Sequence, residues 1–190
     1  MNEYETALFK DKQMGFFIYL GVEAVMFATL FATYMIFTPG IKDPQPSDVF
    51  EVKSLVLSSL FLLSSSVTLM VAEKGNRKGR FKKLLIGLGI TLVFGLVFFG
   101  LEVSEFYSYV QDGYKISTNT FLSAFYVLVG LHAAHVLFGA GWMVVLFIQL
   151  GWKIPKSLFS EKLKIFSYYW HFVDIIWIFI IVLVYLPYLI

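Results

Sequence analysis

The chain has 190 residues, 58% of them hydrophobic and 15% charged, with a mean hydropathy of +0.76, and so lacks the polar surface to cover a water-soluble globule. At about 20 apolar residues per bilayer crossing, this length holds about five spans and leaves no room for a separate soluble domain. There is no cysteine, which excludes disulfide frameworks, thiolate metal sites, iron–sulfur clusters and cysteine nucleophiles, while a formal charge of +2 without an aromatic-interleaved basic patch argues against nucleic-acid binding.

The start, Met1-Asn2-Glu3-Tyr4-Glu5, is acidic and polar. It has no basic n-region and no small-residue cleavage signal, so no cleaved signal peptide is read and the first apolar run serves as the insertion signal. Five apolar runs follow, approximately 14–37, 52–71, 84–106, 120–150 and 166–189, each able to cross about 30 Å of hydrocarbon as a helix. They are continuous and show no two-residue alternation, which disfavours a β-barrel. Breakers fall between them: Pro39-Gly40 and Pro44-Gln45-Pro46, then Gly75-Asn76 and Gly79, then Asp112-Gly113, then Pro155. The expected fold is therefore all-α, a single domain over 1–190 forming an integral membrane bundle of five transmembrane helices.

Twelve of the fifteen basic residues lie in the N-terminal segment (Lys10, Lys12), the second connection (Lys74, Arg77, Lys78, Arg80, Lys82, Lys83) and the fourth (Lys153, Lys156, Lys162, Lys164). Only Lys42, Lys53 and Lys115 fall on the other side. Because positive loops stay in the cytoplasm, the N-terminus is expected inside and the C-terminus outside. Trp152 and Trp170 toward the basic side, and Tyr107, Tyr109, Tyr185 and Tyr188 toward the other, read as an interfacial aromatic belt. Small residues recur every four positions: Ala24, Ala28 and Ala32; Gly87, Thr91 and Gly95; Gly130 and Ala134. Such stripes allow close helix approach, either within the bundle or against another membrane subunit.

Ionisable side chains at helix centres cost about 2.5–3.5 kcal/mol on insertion and need a partner or a role. Glu23 falls near mid-membrane in the first run, either as a proton-exchanging carboxyl or as an acid making one interhelical hydrogen bond. Glu102 and Glu105 share a face of the third run near its outer end, either as buried, proton-linked carboxyls or, on the plainer reading, facing the wet headgroup region. His132 and His135 share a face of the fourth, and His171 and Asp174 a face of the fifth. The histidines with these carboxylates could ligate a metal, or they could hold the bundle in register by hydrogen bonds; no HExxH or repeated Glu-xx-His pattern favours the metal. His171 and Asp174 read as an orienting pair.

In order along the chain, these segments resemble the subunit III family of heme–copper cytochrome c and quinol oxidases. The run from Gly15-Phe16-Phe17 through Gly21-Val22-Glu23 to Phe31-Ala32-Thr33-Tyr34 is similar to the family helix that carries a buried glutamate. Phe50-Glu51-Val52 with Leu62-Leu63-Ser64-Ser65, and Gly100-Leu101-Glu102-Val103-Ser104-Glu105-Phe106, resemble the next two. Gly130-Leu131-His132-Ala133-Ala134-His135-Val136 resembles the Gly-x-His-Gly-x-His-Val helix, with Ala133 in place of the glycine, and Tyr169-Trp170-His171-Phe172-Val173-Asp174-Ile175-Ile176-Trp177 resembles the signature of the last helix.

The resemblance implies a non-redox subunit III of a proton-pumping oxygen reductase in a bacterial cell membrane, cytochrome c type preferred. This chain would hold no heme, copper or other metal and would have no catalytic residue of its own; the heme and copper would sit in partner subunits. It would pack beside subunit I, stabilise it and support its proton uptake, together with subunit II and a small subunit IV, and a bound phospholipid is among the implications. Glu23 then looks like the family's carbodiimide-reactive carboxyl, and His132, His135, His171 and Asp174 like polar contacts of the bundle. Trp170, Phe172 and Trp177 are candidates for subunit or lipid contact. The two extra N-terminal helices of longer members, whose cleft holds lipid, have no counterpart here. Alternative readings are a quinol oxidase subunit III, an accessory protein of nitric oxide reduction, a stand-alone proton-coupled transporter using Glu23, Asp174 and the histidines, and a membrane metalloenzyme.

Overall fold

The fold was analysed in a computed structural model, which describes residues 3–38, 52–152 and 154–189, with side chains from residue 9 to 188. Five long helices account for nearly all of them: α1 Glu3–Phe37, α2 Val52–Arg77, α3 Phe81–Gln111, α4 Thr120–Gly151 and α5 Lys156–Ile180. α5 continues through a π-helical turn, Ile181–Tyr185, into a last turn, α6 Leu186–Leu189. Five stretches are long and apolar enough to cross a membrane: Phe9–Phe37, Val52–Arg77, Phe81–Gln111, Thr120–Gly151 and Lys156–Tyr188. The helices overrun the apolar runs of the sequence, most at α1 and α5, because backbone hydrogen bonding continues into the polar turns outside the hydrocarbon. The breakers Pro39-Gly40 and Pro44-Gln45-Pro46, the residues Lys42, Phe50, Glu51 and Lys153, and the opening Met1-Asn2 lie outside the described residues.

Local chemistry sets the ends. α2 closes with Gly79 at φ +63, where the Arg80 N–H reaches back to the Gly75 carbonyl at 2.8 Å, a left-handed stop that a Cβ would strain. α4 opens on Asn119, whose side-chain oxygen accepts the Leu122 N–H at 2.8 Å. The π-turn precedes Pro187, which has no N–H and crowds the carbonyl four residues back; the ladder widens there, and the Leu186 N–H donates to the Ile181 carbonyl.

Packing follows a ring. α2 lies against α3 and α5, and α4 lies against α3 and α5, so that α2, α3, α4 and α5 form a four-helix bundle, while α1 seats in the groove between α4 and α5. The α2–α3 hairpin is close at its glycines: a Cβ on Gly75 would stand 2.7 Å from the Leu84 nitrogen, and one on Gly87 2.7 Å from the Ala72 nitrogen. Gly87, Thr91 and Gly95 are buried, so the third-helix stripe packs this chain against itself. The first-helix stripe does not. Ala24, Ala28 and Ala32 all face outward with Val22 and Val25, while Leu20, Phe27, Phe31 and Tyr34 face the bundle. The hydroxyls of Thr29 and Thr33 on that outer face donate to carbonyls one turn back, at 2.9 and 2.8 Å, as an apolar solvent requires.

The aromatic belt needs correction. Trp152 and Tyr107 are exposed, but Trp170, Tyr109 and Tyr185 are buried in the bundle. Trp170 fills a slot between two helices: a Cβ on Gly95 or Gly139 would come within 2.8 or 2.7 Å of its ring. The bundle is held by this interdigitation, since lipid supplies no hydrophobic drive between helices.

Candidate functional site

Among the described residues, the ionisable side chains expected from sequence, His132 excepted, fall into three groups on different helix interfaces. The first joins α1 to α4. His135 Nε2 lies 3.2 Å from Glu23 Oε2, with side chains 14% and 16% exposed at the margin of the bundle. The other ring nitrogen, Nδ1, is 2.8 Å from the Leu131 carbonyl. A carbonyl only accepts, so Nδ1 carries a hydrogen. The Nε2···Oε2 contact must then hold one proton, either on the imidazole facing a carboxylate or on the acid facing a neutral ring. Tyr169 from α5 braces the same turn, its hydroxyl donating to the His135 carbonyl at 2.9 Å, and Phe27 packs edge-on against the ring at 5.2 Å.

The second group joins α2 to α5 through serines. Ser66 Oγ donates to Asp174 Oδ2 and lies 3.0 Å from His171 Nδ1. With its one hydrogen directed to Asp174, Ser66 accepts from His171 Nδ1–H. His171 and Asp174 are thus an orienting pair only through Ser66. The indole N–H of Trp170 donates to Ser65 Oγ at 2.8 Å and that of Trp177 to Ser59 Oγ at 3.1 Å. Ser65 and Ser59 pass their own hydrogens to the Leu62 and Leu55 carbonyls at 2.5 and 2.6 Å.

The third group lies in the opposite half from the basic connections. Glu102 and Glu105 are 1% and 8% exposed, which corrects the plainer of the two readings, that they face headgroups: their face of α3 turns toward α2 and the C-terminal turns. Glu105 accepts from the hydroxyls of Ser54 and Tyr109. Glu102 lies beside Ser58, whose hydroxyl instead donates to the Leu55 carbonyl at 3.2 Å. Among the described residues, no donor meets either Glu102 oxygen in hydrogen-bonding geometry.

His132, one turn from His135, points the other way. It is fully buried, stacked on Trp177 with ring centroids 5.1 Å apart, edge-on to Phe98 at 5.8 Å, and neither ring nitrogen has a hydrogen-bond partner among the described residues. The histidines and carboxylates therefore do not gather into one site. Among the described residues, no group of three or more His, Cys, Asp or Glu side chains could hold a metal ion. Trp170 and Trp177 are also corrected as outward contacts, since both rings are enclosed and their N–H groups are used within the chain; Phe172 is half-buried. Sequence reasoning does not single out Ser54, Ser59 or Ser66, reads Tyr109 only as part of the aromatic belt and Tyr169 only as part of the last-helix motif; a serine pair and a serine triplet inside an apolar run, Ser58-Ser59 and Ser64-Ser65-Ser66, are the signal that points to the α2 set.

Comparison with known proteins gives these groups their context. The family model described as cytochrome c oxidase subunit III matches residues 2–188. The chain is 40% identical to the cytochrome c oxidase subunit 3 of Bacillus sp. (strain PS3), over 93% of this chain and 86% of that protein. It is 40% identical to the quinol oxidase subunit 3 of Bacillus subtilis (strain 168), over 97% and 91%, and 36% identical to the cytochrome bo(3) ubiquinol oxidase subunit 3 of Pseudomonas aeruginosa, over 90% and 83%. Five membrane-length helices, the ordered motifs along all five of them, and a match over nearly the whole sequence place this chain in the cytochrome c oxidase subunit III family.

Proposed function

We propose that this chain is the non-redox subunit III of a proton-pumping heme–copper oxygen reductase in a bacterial cell membrane. In this reading it packs against subunit I, with subunit II and a small subunit IV completing the complex, stabilises subunit I and supports its proton uptake. The N-terminus faces the cytoplasm. Heme and copper belong to the partner subunits. The observation that carries the reading is the Glu23–His135 contact. It is the polar pair at the margin of the bundle with a proton to share, whereas the Asp174 and Glu105 groups are tied inward to serines and a tyrosine. A proton-bearing pair at an outer seam suits a subunit that assists a neighbour's proton uptake better than a transporter, which needs a path through its own interior.

The electron donor is read from other subunits. Relatives named for cytochrome c oxidase and for quinol oxidase are equally similar to this chain, in keeping with a part that touches neither donor. Cytochrome c oxidase is the preferred assignment and quinol oxidase the second.

Purification in mild detergent followed by a heme absorption spectrum tests the assembly. The chain should co-elute with a heme-bearing partner, and elution alone with solute transport in liposomes would overturn the reading. The role of Glu23 is tested by Glu23→Gln, which should leave heme content and assembly unchanged while abolishing labelling of this chain by a hydrophobic carbodiimide. Persistent labelling would assign the reactive carboxyl elsewhere.

A further inference from the structure

Ser66 stands between two titratable groups of α5. Both contacts use its one oxygen: Asp174 Oδ2 takes the serine hydrogen, and His171 Nδ1 lies 3.0 Å away on the accepting side. Burial deepens along this series, from half-buried His171 and Ser66 to Asp174 at 5% exposed. The second carboxylate oxygen, Oδ1, is buried and meets no donor among the described residues. A carboxylate so placed holds its charge on a single hydroxyl hydrogen bond, a costly state for a buried anion.

Few other charges bear on these three side chains. Among the described residues, Glu73 of α2 is the charged group that acts on His171, and it lies half-buried two turns from Ser66 toward the basic connection. No charged group beyond the trio acts on Asp174 among those residues. Glu23 and His135 meet each other across the α1–α4 seam, His132 lies in the aromatic core, and Glu102 and Glu105 sit with Tyr34, Tyr109 and Tyr185 in the opposite half. Past Asp174 the α2–α5 seam holds Ser59 and Trp177, whose hydrogens are committed to the Leu55 carbonyl and to Ser59. The run of exchangeable hydrogens therefore ends at Asp174, and the trio is a terminus and not a path across the bundle.

We propose that His171, Ser66 and Asp174 form a proton-loading site in which one bound proton is stored on Asp174. A proton arriving at His171 Nε2, from water or from Glu73, turns the ring into an imidazolium. Its Nδ1 proton passes to Ser66 Oγ as the serine's own hydrogen passes to Asp174 Oδ2. The Nδ1–H bond and the original Ser66 O–H bond break, and new O–H bonds form on Ser66 and on Asp174. The ring ends neutral as the Nε2–H tautomer, Asp174 ends as a neutral acid, and the net change is one proton bound with no co-reactant. The acid then donates to Ser66, which donates to the bare Nδ1, so every hydrogen bond of the trio is kept with its direction reversed. Ser66 is a positioning residue that lets the two titratable groups act as one site. The site is built wholly from this chain and does not depend on the proposed oxidase role.

The test uses the full chain in lipid nanodiscs, acidified stepwise and read three ways: infrared spectra for protonated carboxyls, nitrogen NMR for the histidine tautomers, and an indicator dye for protons bound. In the parent, Asp174 should gain its proton in the same step in which His171 changes from the Nδ1–H to the Nε2–H tautomer. Asp174→Asn should lose that carboxyl band, bind one proton fewer per chain in that step and leave His171 without the tautomer change. Ser66→Ala should uncouple the two groups, so that His171 titrates to the imidazolium on its own. Ser66→Thr keeps the hydroxyl and should restore the shared step, which a serine with a packing role alone gives no reason to expect. Two results overturn the proposal: an imidazolium at His171 in the parent while Asp174 is still ionised, or an unchanged shared step in Ser66→Ala. The first is read without any variant, so misfolding of a substituted chain cannot mask it.

Discussion

Gly139 and Trp170 are complementary shapes on α4 and α5: the glycine leaves a gap and the indole fills it, with 2.7 Å between the ring and the position a Cβ would take. Because packing is the main cohesive force between helices in lipid, this contact has a measurable size. Gly139→Ala should lower stability by about 1–3 kcal/mol through overpacking, and Trp170→Ala by about 3–5 kcal/mol through the cavity and the lost bond to Ser65. Combining Trp170→Ala with Gly139→Leu should recover part of the loss, since each change makes room for or fills the other. Unfolding in mixed detergent micelles measures all three, and simple additivity of the two changes would show that the residues do not act as a fitted pair. At this scale the sequence is only partly legible. Glu23, His135 and Asp174 stand out because charge is rare in apolar runs, but their partners could not be read off. His132 and His135 share a helix face in sequence, yet the small angle between them is enough to send one into the aromatic core and the other to Glu23.

Between elements, α2 and α5 are joined by a ladder of hydroxyls. Ser59, Ser65 and Ser66 meet Trp177, Trp170 and the His171–Asp174 pair in turn. Interhelical hydrogen bonds in membranes average about 0.6 kcal/mol each, so changing all three serines to alanine should destabilise the bundle by about 2 kcal/mol. The loss should localise to α2–α5, seen as faster amide exchange in those helices with α1 and α4 little changed; uniform loosening would count against a ladder confined to one interface. Hydropathy marks where each helix crosses but not which way it is turned. In lipid both faces of a helix are apolar, so the amphipathic signal that orients helices in water is absent. Hence the first-helix alanines and the third-helix glycines look alike in sequence, although Ala24, Ala28 and Ala32 face outward while Gly87 and Gly95 are packed inside. The same blindness hid the inward turn of Glu102 and of Trp170.

At the scale of the molecule, length, hydropathy and breakers fix the number of crossings, and the antiparallel ring follows from short hairpins. α1 and α5 run in the same direction, as their contacts at both ends require: Gln13 reaches Tyr168 at one end and Tyr34 reaches the Val184 carbonyl at the other. If all five helices cross, the two termini lie on opposite sides, and the twelve of fifteen basic residues gathered at one end support the proposed cytoplasmic N-terminus. The chain has no cysteine, so a single introduced thiol reports without background. Lys78→Cys and Lys162→Cys should react with a membrane-impermeant maleimide only after cells are opened, whereas Asp112→Cys should react in intact cells. Lys78 and Asp112 are exposed at helix ends, and Lys162 is half-buried near the start of α5, where its replacement gives up the bond to Gln149. If Lys78→Cys and Asp112→Cys were labelled from the same compartment, α3 would not cross the bilayer, and both the ring of helices and the mid-membrane setting of Glu23 would have to be redrawn.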